Sequence, residues 1–488
     1  MIPSIAIVGG GTAGWMAAAA LAHALRGKGR IQLVETPDEP RERGGEGTLP
    51  AMGAFHASLG IDEDDLIRRT GATFKLGTAF ADWPQAGARF FHPFGPYGVS
   101  IDTVGFHHAW LRLRELGEGA ELNAYSLAAT AASLGRFQRP SQDASSVLSS
   151  YGYGLHLDAA AYRDVLRGSA EAEGVIRMAP KLAGVVLRGE DGFIEALELQ
   201  GGKRITADLF VDCTDQGRLI RQALGAGWQD WSAWLPCDRT VTADSAPAED
   251  PPPYTEVAGR EGGWVWRMPL QDRTTHGLAY CSQALDDGAA AEVLLAGLER
   301  PALEAPSVQR FAVGRSETFW SRNCVALGGA AGVLGPLEAT RLGLIRSGVS
   351  RLIGLLPAGD FERADAEEFN RLSIAEFDRA RDFLILRHGA GRRETALPDE
   401  LACRLELFEA RGRVVTFDEE LFPMSSWLAL LIGKGVRPRR YHPFADGLDL
   451  QDLRGRLQTL RAVVRQAAES MPTHAAFIAR NPVVRMAG

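Results

Sequence analysis

What the chain lacks narrows it first. Five cysteines, Cys213, Cys237, Cys281, Cys324 and Cys403, are scattered through 488 residues with no CxxC pair among them. That leaves neither a zinc framework nor a disulfide scaffold, and suits a reducing cytoplasm. An excess of positive charge is also missing: 53 Lys and Arg face 61 Asp and Glu, a formal net charge of −8. No nucleic-acid surface is expected from such a balance. Long hydrophobic runs are absent too. The nearest candidate, residues 5–25, is interrupted by Gly9-Gly10-Gly11 and has no basic segment before it, so neither a membrane span nor a signal peptide is expected. No internal repeat or low-complexity tract appears. What is present is an ordinary globular composition, 45% hydrophobic and 23% charged, in a chain longer than one simple core usually holds.

Periodicity gives the organisation. Residues 5–8 read as a strand, 9–14 as a glycine turn, 15–25 as an alanine-rich helix and IQLVE, ending at Glu35, as a second strand: a βαβ beginning. Residues 184–215 read as strands broken by EDG and GG turns, ending in a buried strand at 207–213. Residues 240–262, rich in Pro, Asp and Ala with PPP at 251–253, read as an exposed excursion. A strand at 324–327 leads into a second glycine-rich turn at 328–332 and a helix to about Leu356. From Asp360 onward helical patterns dominate, interrupted by RPRRYHPFADG.

Three stretches carry chemistry. Gly9, Gly11 and Gly14, with Thr12 and Ala13 between them, fit GxGxxG after a strand and before a helix. Such a turn presents backbone N–H groups and a helix N-terminus to a pyrophosphate, with Glu35 placed for a ribose hydroxyl; a tight helix-packing turn is the plainer alternative. The second glycine turn suits a flavoprotein chain returning over its FAD. With no second complete fingerprint for NAD(P)H, one flavin and an external source of reducing equivalents is the simpler account. TGATFKLGTAF, residues 70–80, sets Phe74, Leu76 and Phe80 on one strand face and Thr73, Lys75, Gly77 and Ala79 on the other. By pattern alone Lys75 points into water. In GGWVWRMPL, residues 262–270, Trp264 and Trp266 share a face, as a wall of indoles or as ordinary core.

GGGTAGW, GEGTLP at 45–50, Lys75 in ATFKLG, WLPCDR at 234–239, WVWRMP at 264–269 and PLEAT at 336–340 follow the order seen in flavin-dependent tryptophan halogenases. RDFLILRH at 381–388 and YHPFAD at 441–446 extend the resemblance over most of the chain. It implies an α/β fold: a Rossmann-like FAD-binding module of the aromatic-hydroxylase type over residues 1–390, and a mainly helical region, 391–488, packed on it to wall the substrate pocket. It also implies an enzyme that uses FADH2, oxygen and bromide or chloride on an aromatic substrate, with a separate NAD(P)H-dependent flavin reductase and a family-like homodimer. In such enzymes a flavin C4a-hydroperoxide is attacked by halide, and the hypohalous acid travels to a lysine beside the substrate. Lys75 matches that lysine, and Glu338 the glutamate near it, otherwise a carboxylate at a helix start.

The resemblance further assigns Gly47, Thr48, Gly328, Gly329 and Leu342 to the cofactor, the backbone amides of Thr340 and Arg341 to the halide, Trp264 and Trp266 to a partition, and His92 and Phe94 to stacking on an indole. Ala339, Arg341, Met268 and Asp215 depart from the family pattern. The ending MPTHAAFIARN does not look like the part that clamps the amino-acid backbone in tryptophan-specific members, so free indoles are candidate substrates alongside tryptophan. An aromatic monooxygenase, or a flavin-binding homologue without halogenating activity, is the alternative.

Overall fold

The structure is a computed structural model that describes residues 4–35, 42–82, 87–260, 262–336, 338–357, 359–389 and 395–484. Its first strand, Ser4–Val8, pairs in parallel with Arg30–Val34 and Leu209–Asp212, placing Ile7 between Leu33 and Val211. These strands are almost wholly buried, which is why they read as near-continuous apolar runs. Ile176–Met178 lies at one edge of this six-stranded sheet; Cys324–Ala326 and Trp320–Ser321 form the other.

The first helix, Thr12–Leu25, starts inside the glycine turn, earlier than the expected residue 15. Its alanines favour helix and, having no bulk, let it sink almost completely into the core. The turn is tight for a reason visible at Gly14, where a Cβ would lie 1.9 Å from the Gly9 carbonyl oxygen.

A second, seven-stranded sheet runs in the order Ser307–Arg310, Arg239–Ser245, Thr274–Tyr280, Gly263–Pro269, Thr255–Arg260, Gly77–Ala81 and Arg89–Pro93. It corrects one expectation: much of residues 240–262 is not an excursion but two strands of this sheet. The three prolines interrupt only the connection between them, and their carbonyls still serve, Pro253 accepting from Leu76 N at 2.7 Å and Pro251 from the His474 ring at 2.8 Å.

A second correction concerns residues 70–80, which break at Leu76 into two strands. Thr73–Lys75 joins a small sheet with Gly154–Asp158 and Gly45–Gly47, whereas Gly77–Ala81 enters the large one. Both faces are therefore covered, and Lys75 does not reach water.

The C-terminal helices Arg363–Gly389, Asp399–Arg411, Met424–Gly433 and Leu450–Ser470 pack on this framework. One hydrophobic cluster includes residues from Ile5 to Ile478, so the helical region shares the core of the sheets. The expected boundary at 390/391 lies outside the described residues. No helix among the described residues is long and apolar enough to cross a membrane.

Gly14→Ala is expected to destabilise the fold by at least about 2 kcal/mol, because backbone rather than a movable side chain opposes the new methyl. The check is a lower urea midpoint at unchanged slope.

Candidate active site

A cavity of about 1360 Å³ opens at the glycine turn, larger than the roughly 300–1,000 Å³ of common small-molecule sites. Gly10, Gly11, Ala13 and Glu35 line one part, Gly328 and Gly329 the facing side, and Trp266, Thr340 and Arg341 another part. Glu35 is held by Arg177 at 2.7 Å.

The N-terminus of the Thr12–Leu25 helix already holds an anion, the carboxylate of Glu42. It accepts from Thr12 N at 3.2 Å and from the Thr12 hydroxyl, and from Arg341 Nη1 at 2.5 Å. Burial raises the Glu42 pKa, but Arg341 and Thr12 outweigh it, so the net shift is downward and the carboxylate stays charged.

Other sequence candidates stand back from the opening. Gly9 packs on the Cys213 backbone, Thr48 uses its hydroxyl to accept from Leu155 N at 2.7 Å, and the Leu342 side chain is fully buried in the core. Asp215 lines the cavity beside Gly329.

Lys75 lies behind this cavity wall and is 1% exposed. Its Nζ lies 5.2 Å from the Phe94 ring centroid. On the cavity side the separation is thin: a Cβ placed on Gly47 would be 3.2 Å from Lys75 Nζ and 3.8 Å from Ala339 Cβ, and both Gly47 and Ala339 line the cavity. Burial pulls the Lys75 pKa down to about 8; Arg387 adds to this, while Glu338 and Glu46 oppose it. The amine therefore exchanges its proton close to neutral pH instead of holding it permanently.

Glu338 precedes the Thr340–Gly354 helix. It and Ala339 both have left-handed backbone, φ 57° and 56°, a cost borne by non-glycine residues mainly where geometry is over-determined. Its carboxylate is buried and satisfied on both oxygens. Oε1 accepts from Arg387 Nη1 at 2.6 Å; Oε2 accepts from the Thr78 hydroxyl at 3.3 Å and lies 3.2 Å from His92 Nδ1, which must carry its hydrogen there. Burial alone would raise the Glu338 pKa, yet His92, Arg387 and Lys75 together hold it at about 2.

Arg387 is the residue that sequence reasoning missed. It stood in RDFLILRH, quoted only for resemblance, and nothing in a long helical pattern marks one arginine as fully buried.

The expected pair of indoles does stand side by side. Trp264 and Trp266 have ring centroids 5.3 Å apart at 44°; Trp266 borders the cavity and Trp264 lies 6.3 Å from the His388 ring, next to Arg387. His92 is committed on both ring nitrogens, Nε2 meeting Ser426 Oγ at 2.7 Å, and its ring stands edge-on to Phe94 at 6.1 Å. The Arg341 guanidinium is turned to Glu42 and Glu46, leaving its backbone N–H at the helix start.

A large cavity on a glycine turn, bordered by Trp266 and lying one glycine away from a buried amine with a carboxylate near it, is the arrangement expected of a flavin-dependent oxidoreductase. The tryptophan halogenase family model matches residues 4–449. The tryptophan 6-halogenase ThaL of Streptomyces albogriseolus is 33% identical over 78% of this chain and 75% of that enzyme. Two solved flavin-dependent halogenases superpose along the whole chain. BrvH from Brevundimonas sp. BAL3 is 40% identical with a TM-score of 0.93, covering 99% of each chain. Xcc4156 from Xanthomonas campestris is 37% identical with a TM-score of 0.94, covering 100% of each. The chain belongs to the tryptophan halogenase family and is a flavin-dependent halogenating enzyme.

Holding Lys75 dry costs stability. Its folded pKa, about 8, lies below the usual 10.5, so below pH 8 folding carries the full cost of burying the ammonium. Between pH 8 and 10.5 the folded state releases the proton first, and stability rises with pH. Lys75→Met is expected to stabilise the protein at pH 7 by on the order of 3 kcal/mol, an advantage that fades toward pH 10.5. Urea midpoints of both proteins across that range check it.

Proposed function

We propose that this enzyme halogenates an electron-rich aromatic, an indole fitting best, using FADH2 from a separate NAD(P)H-dependent reductase, oxygen, and bromide or chloride. The observation that carries the reading is Lys75: fully buried, one glycine away from the large cavity, with the Glu338 cluster beside it.

The residues present fit FAD. A helix N-terminus that holds the Glu42 carboxylate is a working anion site, so Gly11, Thr12 and Ala13 would take the pyrophosphate, Glu35 a ribose hydroxyl, and Gly328 and Gly329 the facing side. Bound there, the reduced flavin and oxygen supply the oxidising equivalent that converts halide to hypohalous acid. The backbone amides of Thr340 and Arg341 would hold the halide. The Arg341 guanidinium, neutralised by Glu42 and Glu46, leaves that position to the amides. Trp264 and Trp266 would keep the arene off the flavin and leave room only for a small oxidant to cross.

At the far side Lys75 hydrogen-bonds the oxygen of the hypohalous acid. As the halogen forms its bond to a ring carbon and leaves oxygen, the lysine proton completes a water molecule. The arenium that results is strongly acidic, so Glu338, although a weak base, is able to take the ring proton and return it to Lys75. His92 keeps Glu338 oriented, and Phe94 offers a face to the arene.

Incubation with a flavin reductase, NADH, FAD, oxygen, indole and either halide, read by mass spectrometry, tests this. Halogenated indole is expected, reduced at least about 100-fold in Lys75→Ala. Oxygenated product without halide, or product from Lys75→Ala at the parental rate, refutes the reading. A separate expectation concerns Glu42, whose carboxylate stands on the site the pyrophosphate would take. Glu42→Gln is expected to lower the FAD dissociation constant by about tenfold in fluorescence titrations, since a neutral amide competes less well for the helix end and for Arg341.

A further inference from the structure

Charges around Lys75 are distributed unevenly. Glu338 is the carboxylate of its cluster, yet among the described residues the ion pairs of Glu338 are with Arg387 and His92. Arg387 comes from the last turn of the Arg363–Gly389 helix and has no solvent exposure. Its Cζ lies 3.6 Å from the Phe80 ring centroid, and Phe80 is itself stacked on Phe90 at 4.6 Å. The guanidinium thus lies against an aromatic face, with Nη1 on Glu338 Oε1 at 2.6 Å. Such placement fixes the arginine and directs Glu338 toward it.

We propose that Arg387 is a positioning residue that takes up the Glu338 charge, denies Lys75 a dedicated counter-ion, and thereby sets the proton state in which Lys75 works. The proposal rests on the role given to Lys75 above. An ionised carboxylate next to a buried amine ordinarily keeps that amine protonated. Here the carboxylate is already matched by a cation that burial lowers only to about 10, so Arg387 remains charged where Lys75 titrates.

The other groups around Lys75 do not replace the missing partner. Glu46, from the Gly45–Gly47 strand, is bound by Arg341. His156, from Gly154–Asp158, is fully buried and held well below the usual histidine range by burial, Lys75 and His474. His92, from Arg89–Pro93, serves Glu338. Lys434, at the end of the Met424–Gly433 helix, adds a second basic group coupled to Arg387 and no carboxylate.

The test is the pH dependence of kcat, with indole, bromide and saturating reductase-supplied FADH2, for the parent, Arg387→Lys, Arg387→Gln and Arg387→Met. Loss of the buried cation leaves more of the Glu338 charge to act on Lys75. The alkaline limb, on which Lys75 loses the proton it donates, is therefore expected to move up by about one pH unit or more in the Gln and Met variants, with KM for indole changed less than about twofold. Arg387→Lys, which keeps the charge, is expected to hold the parental limb. The Gln variant preserves a hydrogen-bond donor to Glu338 and carries the test if Met fails to fold. An unmoved limb in a folded, FAD-binding Gln or Met variant overturns the proposal, as does the same shift in Arg387→Lys. Lys75→Ala separates the two readings: if it keeps the parental rate, the lysine role itself has failed; if it is inactive and the limb is unmoved, only the role of Arg387 has.

Discussion

The structure turns on an amine kept away from water. An isolated ammonium in a protein interior costs several kcal/mol unless it is paired or loses its proton. Lys75 meets that constraint by a lowered pKa more than by a dedicated partner. The break of the chain at Leu76 puts Lys75 on a small sheet covered by neighbouring elements, so both strand faces are dry. Glu338 lies close enough to influence the amine while its own oxygens are occupied by Arg387, His92 and Thr78. A buried network of this kind tolerates little slack, because each unmatched group in low dielectric is expensive.

The same constraint connects the two sides of the molecule. The Glu42 carboxylate accepts from the N-terminus of the helix at the large cavity, Arg341 bridges Glu42 and Glu46, and Gly47, the next residue, touches the Lys75 environment. Electrostatic change at the cavity mouth therefore has a short, contiguous route to the amine. The indoles of Trp264 and Trp266 stand together beside it, Trp266 at the cavity edge and Trp264 buried behind it. Gly277 accommodates them: a Cβ there would meet the Trp266 ring at 2.0 Å.

Local signals were legible in the sequence where the physics is local. Gly9 and Gly14, after an apolar strand, specified the turn because close backbone approach admits nothing larger. Trp264 and Trp266, two residues apart on a strand, had to share a face. The alternation around Lys75 suggested one strand with two unlike faces, but period-two patterning says nothing of how deep either face lies or that the chain breaks at Leu76 into two sheets. The stretch 240–262 misled because prolines and acids signal loops, whereas strand membership of Thr240 and Thr255 was decided by partners in Thr274–Tyr280, Gly263–Pro269 and Gly77–Ala81.

The sequence by itself determined the βαβ start, the tryptophan pair and the order of motifs that identified Lys75 and Glu338, since each depends on spacing within a few residues or on order along the chain. Only the tertiary structure decided that Lys75 is dry, that Glu338 answers to Arg387, and that Glu42 reaches the first helix. The last two outcomes join residues 49 and 30 positions apart, and the electrostatics of a buried group such as Lys75 depend on every charge that folding brings near it, whatever its distance in sequence.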